Sequence, residues 1–77
     1  VNVLGAATLM VAENRDRTDI AVVNSSVQTV YLGKDATVTT LNGFPLPSNM
    51  GISFDAYTGP VYGIVGAGGS ICGVIEI

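Results

Sequence analysis

The chain has 77 residues, a net charge of −3, a single cysteine and no histidine. That makes it one small domain whose thin core buries only about 60% of the surface of the unfolded chain. Three cationic residues are too few to neutralise a phosphate backbone, and with no His and only one Cys the chain lacks the usual zinc ligand sets and any internal disulfide, so neither nucleic acid nor zinc is expected.

In chain order, Val1 to Ala12 reads as an extended N-terminal arm and first strand, and residues 13–77 as the body of the domain. Thr8-Leu9-Met10-Val11-Ala12 is the best strand-like part of the arm. Asn14-Arg15-Asp16-Arg17 is a polar turn, since Asn and Asp bond their own backbone there. Thr18 to Val23 is the next strand. Ile20 and Val22 face one way, Ala21 and Val23 the other, and two apolar faces suit a strand covered on both sides. Asn24-Ser25-Ser26 turns the chain into a third strand, Val30 to Gly33, which Lys34-Asp35 breaks. Thr37 to Leu41 is a candidate fourth strand. Asn42 to Asn49 reads as a loop, because Pro45 and Pro47 cannot serve a central ladder. Ile52-Ser53-Phe54-Asp55 alternates, with Ile52 and Phe54 inward, and Thr58-Gly59-Pro60 leads into Val61 to Val65. Gly66-Ala67-Gly68-Gly69 is expected to be a hairpin connection. Ser70 to Ile77 closes the chain, with Ile71, Gly73, Ile75 and Ile77 on one face.

Eleven Val, six Ile and seven Thr favour strands throughout, and no apolar period of 3.6 residues appears anywhere. The expected fold is therefore all-β: a small β-sandwich or jelly-roll-like domain of about seven short strands.

Charged residues make up only 12% of the chain, against about 25% in ordinary soluble domains. Five of the nine (Glu13, Arg15, Asp16, Arg17, Asp19) lie within seven positions. Most of a surface-rich domain is thus left without solubilising charge, and neighbouring chains are expected to cover much of it.

The glycine cluster at 66–69 looks like the start of a nucleotide-binding turn. Only seven residues follow Ser70, however, which leaves no room for the βαβ unit such a site needs, and no lysine completes a P-loop. No cofactor is expected. Ala56 to Ile75 carries no charge but contains Pro60 and six glycines, so no membrane helix is expected and no secretory signal is visible. Cys72 reads as a small buried hydrophobe without a base beside it, and no catalytic residue is expected. An oxygen-only calcium site near Asp16 and Asp19 is the one metal reading left open, though no metal is expected. Asn24-Ser25-Ser26 matches a glycosylation acceptor, a pattern common by chance. Arg15, Arg17 and Asp19 share a face if their strand begins early. A subunit-to-subunit salt bridge is the functional reading, and a local ion pair ordering the turn is the simpler one.

Ala12-Glu13-Asn14-Arg15-Asp16-Arg17 leading into Ile20-Ala21-Val22-Val23-Asn24 is one part of a wider likeness. Val30-Tyr31-Leu32-Gly33 with Val38 to Leu46, Tyr57 to Ile64, and the closing Val74-Ile75-Glu76-Ile77 complete it. In that order the chain resembles small virion structural proteins of tailed bacteriophages, capsid decoration (cement) proteins among them. The resemblance implies a compact β-sandwich or jelly-roll-like unit without catalysis, a homo-oligomer of trimeric type. It would bind and stabilise the major capsid protein lattice on the virion surface after assembly in the bacterial cytoplasm. An arm through Val1, Asn2, Val3 and Leu4 would then add a strand to the coat, so its deletion is expected to weaken attachment more than folding. The alternative is a carbohydrate- or receptor-binding module of a head fibre or tail, with Tyr31, Tyr57 or Tyr62 as a stacking platform.

Overall fold

The computed structural model describes all 77 residues. There is no helix, and eight strands follow one another: β1 (Asn2–Leu4), β2 (Thr8–Val11), β3 (Asp19–Asn24), β4 (Val30–Gly33), β5 (Phe44–Leu46), β6 (Gly51–Asp55), β7 (Val61–Ile64) and β8 (Gly69–Glu76). They form two four-stranded sheets, ordered β1-β8-β3-β6 and β2-β7-β4-β5. Every pairing is antiparallel. Only the β4–β5 connection stays within one sheet; every other connection crosses to the opposite one.

Period-2 alternation places the core. Ile20 and Val22 of β3, Val3 of β1 and Cys72 of β8 face Val30 and Leu32 of β4, Leu46 of β5, Val61 of β7 and Met10 of β2 in one buried cluster. Fully burying a side chain of this size contributes about 1.5–3 kcal/mol. Two polar residues tie the sheets together at the ends of β3. Beyond its start, the buried Arg17 guanidinium donates to the carbonyls of Ala12, Tyr57 and Gly59 and to Glu76 Oε1. At its end, Asn24 Nδ2 donates to the carbonyls of Gln28 (2.7 Å) and Leu46 (2.9 Å), the second lying across the core. Burial without partners would cost each group dearly, so these bonds fix how the sheets sit on each other.

Four sequence expectations need correction. The arm is not free: β1 pairs with β8 in the register Asn2↔Ile71, Val3↔Ser70, Leu4↔Gly69, and Val3 is fully buried. Counting β1 and β2 as separate strands in opposite sheets makes eight strands rather than about seven. Thr37 to Leu41 is not a strand; the ladder partner of β4 is Phe44-Pro45-Leu46. Pro45 is tolerated because β5 is an edge strand, with one side free of ladder bonds. Finally, Gly66 to Gly69 is not a hairpin turn, since β7 and β8 lie in different sheets. Gly68 within it takes a positive φ (67°), which glycine adopts at little steric cost.

Candidate interaction surface

The outer faces of the two sheets are treated differently by the chain. Over the β2-β7-β4-β5 sheet, the connection from Lys34 to Gly43 folds back onto β4. A Cβ built on Gly33 would lie 2.5 Å from Val38 Cβ, and one on Gly43 would lie 2.6 Å from Tyr31 Cβ. These glycines are therefore the close-approach points that let the segment lie flat. Val38 is buried by this contact, while Tyr31, Tyr62 and Ile64 are half-buried.

Nothing comparable covers the β1-β8-β3-β6 sheet. Alternation along β8 turns Ile71, Gly73 and Ile75 outward, and along β3 it turns out Ala21 and Val23. Ile71 is 64% exposed, Ile75 63%, Leu4 50% and Val23 46%. In register, Val23 sits beside Gly73 and Ala21 beside Ile75, while Gly51 and Ser53 of β6 continue these rows. The only charges on the face are Asp19 and Asp55, directly opposed at one end. Like charges in that position repel, and Asp19 Oδ1 is partly satisfied by the Ala56 N–H at 3.3 Å. The result is a flat, apolar surface with no charge and no pocket at its centre.

The residues singled out in the sequence do not converge. Val1 is tied to Cys72 in both directions, its ammonium donating to the Cys72 carbonyl (2.7 Å) and its carbonyl accepting the Cys72 N–H (2.8 Å). Asn2 and Leu4 border the bare face, whereas Val3 belongs to the core. Arg15 is exposed, 3.7 Å from Glu13. Arg17 points inward, its side chain 1% exposed and 2.6 Å from Glu76. The guanidinium stacks at 5.9 Å from the Tyr57 ring centroid. Arg17 is thus consumed within the chain, and a subunit-to-subunit bridge through it has no free donor face. Asp19, on the rim of the bare face, does not share a surface with it.

Other chemistry finds little support in the geometry. Burial pushes the Cys72 thiol above its ordinary value, an effect only partly offset by the nearby N-terminal ammonium. No three of the Asp, Glu and Cys side chains come together as a metal-holding group, so no third carboxylate joins Asp16 and Asp19. Asn24 is fully buried with both amide protons donated, which removes it as a glycan acceptor. The Asp35 carboxyl is held below the usual range by the Thr37 hydroxyl and N–H, the mark of a local turn. No helix is long and apolar enough to cross a membrane.

Of two concavities, one is a cleft of about 520 Å³ where Phe44, Phe54, Tyr57, Leu32 and Val61 meet Lys34, Ser53 and Asp55. The other, about 440 Å³, lies beside β4 under the loop at Asp35, Thr37, Val38 and Asn42. Phe54 and Tyr57 pack edge to face at 6.2 Å. The Tyr57 hydroxyl donates to the Pro60 carbonyl, and burial raises its pKa despite Arg17. Tyr31 and Tyr62 project from β4 and β7 on the covered sheet, so the three tyrosines form no common platform. No family model, curated protein or solved structure matches the chain.

Proposed function

We propose that this chain is a non-enzymatic jelly-roll subunit of a tailed-bacteriophage shell. In this reading it is a capsid decoration protein that associates with itself and rests on the lattice of the major capsid protein. The observation that carries the reading is the bare β1-β8-β3-β6 face. A face this apolar on a chain with 12% charged residues is an interaction surface rather than a solvent boundary. Strand pairing supports the fold assignment. The pairs β1–β8, β2–β7, β3–β6 and β4–β5 are those of one long antiparallel ribbon closed at the β4–β5 connection. Wrapping such a ribbon around a core would add the seams β3–β8 and β4–β7, both of which are present, and this pattern supports the two-sheet roll used by viral shell proteins and lectins.

Fold alone leaves the role open, and the residues narrow it. The only thiol is buried and held protonated, and no base accompanies it, so nucleophilic chemistry has no support. Self-association through that face needs no pocket, and it multiplies weak coat contacts repeated over a lattice into avidity. The test is to add the purified chain to phage heads that lack it and image them. Ordered density at regular lattice positions, with heads that resist heat better, is expected. Heads that remain bare at saturating protein would overturn the assignment.

A second reading, a sugar-binding module of a head fibre or tail, draws on the cleft, where exposed Phe44 lies near Lys34, Ser53 and Asp55. Aromatic faces beside polar groups suit a pyranose ring. A glycan array separates the two, because the shell reading expects no specific sugar.

A further inference from the structure

We infer that the bare face is covered by a second copy of this chain, packed face to face about a twofold axis that runs along the strands between β3 and β8. The inference rests on the shell-subunit reading only in taking this face as an interface. Its grounds are the relief of the face and its charge.

Each cross-strand row at the centre pairs one large residue with one small one: Val23 with Gly73, and Ile75 with Ala21. A strand-parallel axis between β3 and β8 lays each strand over the other strand of the partner. Val23 of one copy then enters the gap over Gly73 of the next, and Ile75 lands on Ala21, twice each by symmetry. A Cβ built on Gly73 meets nothing within 4 Å, so that gap is open. An axis across the strands and through the 23–73 row would instead set Val23 against Val23 and Gly73 against Gly73. One midway between the rows would set Val23 over Ala21 and Ile75 over Gly73. Mixing variants at positions 23 and 73 separates that arrangement from the strand-parallel axis, because those positions then no longer meet.

The size sets how tightly a second copy is held. The strands of this sheet hold 3, 8, 6 and 5 residues, which at about 3.4 Å per residue and about 4.8 Å per strand is a face on the order of 350 Å². Two such faces bury on the order of 700 Å², below the roughly 1,000 Å² of a stable specific interface, so the pair is a weak, concentration-dependent one. The centre of the face carries no charge, which leaves an acidic or basic partner nothing to pair with there. The carboxylates lie at one end: the axis carries the two Asp55 side chains on the β6 edges to opposite sides of the pair, while the two Asp19 on β3 stay near the axis at its solvent-open end.

The test uses three forms of the intact chain: unchanged, Val23→Glu and Gly73→Lys, each checked for native circular dichroism. Sedimentation and light scattering should approach twice the chain mass for the unchanged form as concentration rises. Each variant alone should weaken association at least tenfold and run at the single-chain mass. Mixing the two variants should restore the pair, because the carboxylate introduced at position 23 of one chain then meets the ammonium introduced at position 73 of the other. Failure of the mixture to reassemble while both variants remain folded would overturn the axis. A single-chain mass for the unchanged form at every concentration, or a trimer insensitive to both substitutions, would overturn the pairing itself. Binding to phage heads is scored separately. A folded single chain that still decorates heads sinks the pair and spares the shell reading, and a pair that ignores heads does the reverse.

Discussion

The two outer faces of this small protein are built from the same kinds of residue and end differently. Over β4, ten residues between Lys34 and Gly43 fold back, and Val38 is buried on top of Gly33. Over β3 and β8, Val23, Ile71 and Ile75 stand about half or more exposed. Neither face carries the charge that ordinarily keeps a sheet in water. The lesson is that one face is finished by the chain's own loop and the other is left for another molecule to finish.

The comparison can be broken most severely at the margin of the bare face. Deleting Val1 to Leu4 removes β1, the fully buried Val3 and the ties to Cys72. A domain of 77 residues has only about 4–12 kcal/mol of total stability, so the truncated chain is expected to lose its cooperative thermal transition. That outcome reverses the expectation that the segment is an attachment arm, and a truncated chain that melts normally would restore the arm. Next in size, Gly33→Val drives a side chain into Val38, whose Cβ already lies 2.5 Å from where a single added carbon would sit. The loop must lift, and the urea midpoint should fall by an amount equivalent to about 2–3 kcal/mol, with new aggregation from the uncovered sheet.

Val38→Ala keeps the loop in place but thins the cover, and should cost about 1–2 kcal/mol by the same measurement. Gly73→Val is the counterpart on the bare face. With nothing within 4 Å of its Cβ and a strand-favouring side chain, it should leave folding within about 0.5 kcal/mol of the unchanged protein. Self-association should nevertheless be lost, because the gap that receives Val23 is filled. Equal losses of stability at Gly33 and Gly73 would erase the distinction between the faces.

The smallest effect is at alkaline pH. Burial raises the pKa of both Cys72 and Tyr57 in the folded state. The unfolded chain therefore releases these protons first, and stability present at neutral pH declines as pH rises through the ordinary thiol range, near pH 8.5, and onward. The melting temperature should drop between about pH 8 and pH 10, and Cys72→Ala should flatten the first part of that decline.

How much of this was legible beforehand depends on what each element answers to. Strands set by alternation, such as Asp19–Asn24 and Gly69–Glu76, could be read because one face must be apolar. The two-sided apolar pattern of β3 already held the clue to the bare face, since Ala21 and Val23 had no evident reason to avoid charge. Asn2–Leu4 and Phe44–Leu46 could not be separated from arm and loop. Three residues carry too little period, and edge strands are decided by the partner they find. The inward turn of Arg17 was hidden for a similar reason, because its acceptors on Ala12, Tyr57 and Gly59 are carbonyls brought together only by the fold. Gly33 and Gly43, bracketing Val38, were the available signal for a segment pressed onto a sheet.

The most direct measurement is hydroxyl-radical oxidation of the purified chain across a range of concentrations, read residue by residue by mass spectrometry. Val27 and Leu41, exposed at 97% and 96%, serve as internal references. Oxidation of Val23, Ile71 and Ile75 should fall steeply relative to those two as concentration rises, while Leu9 on the other sheet keeps pace with them. If Ile71 and Ile75 stay as reactive as Val27 and Leu41 at the highest concentration, no second molecule finishes that face, and the account fails.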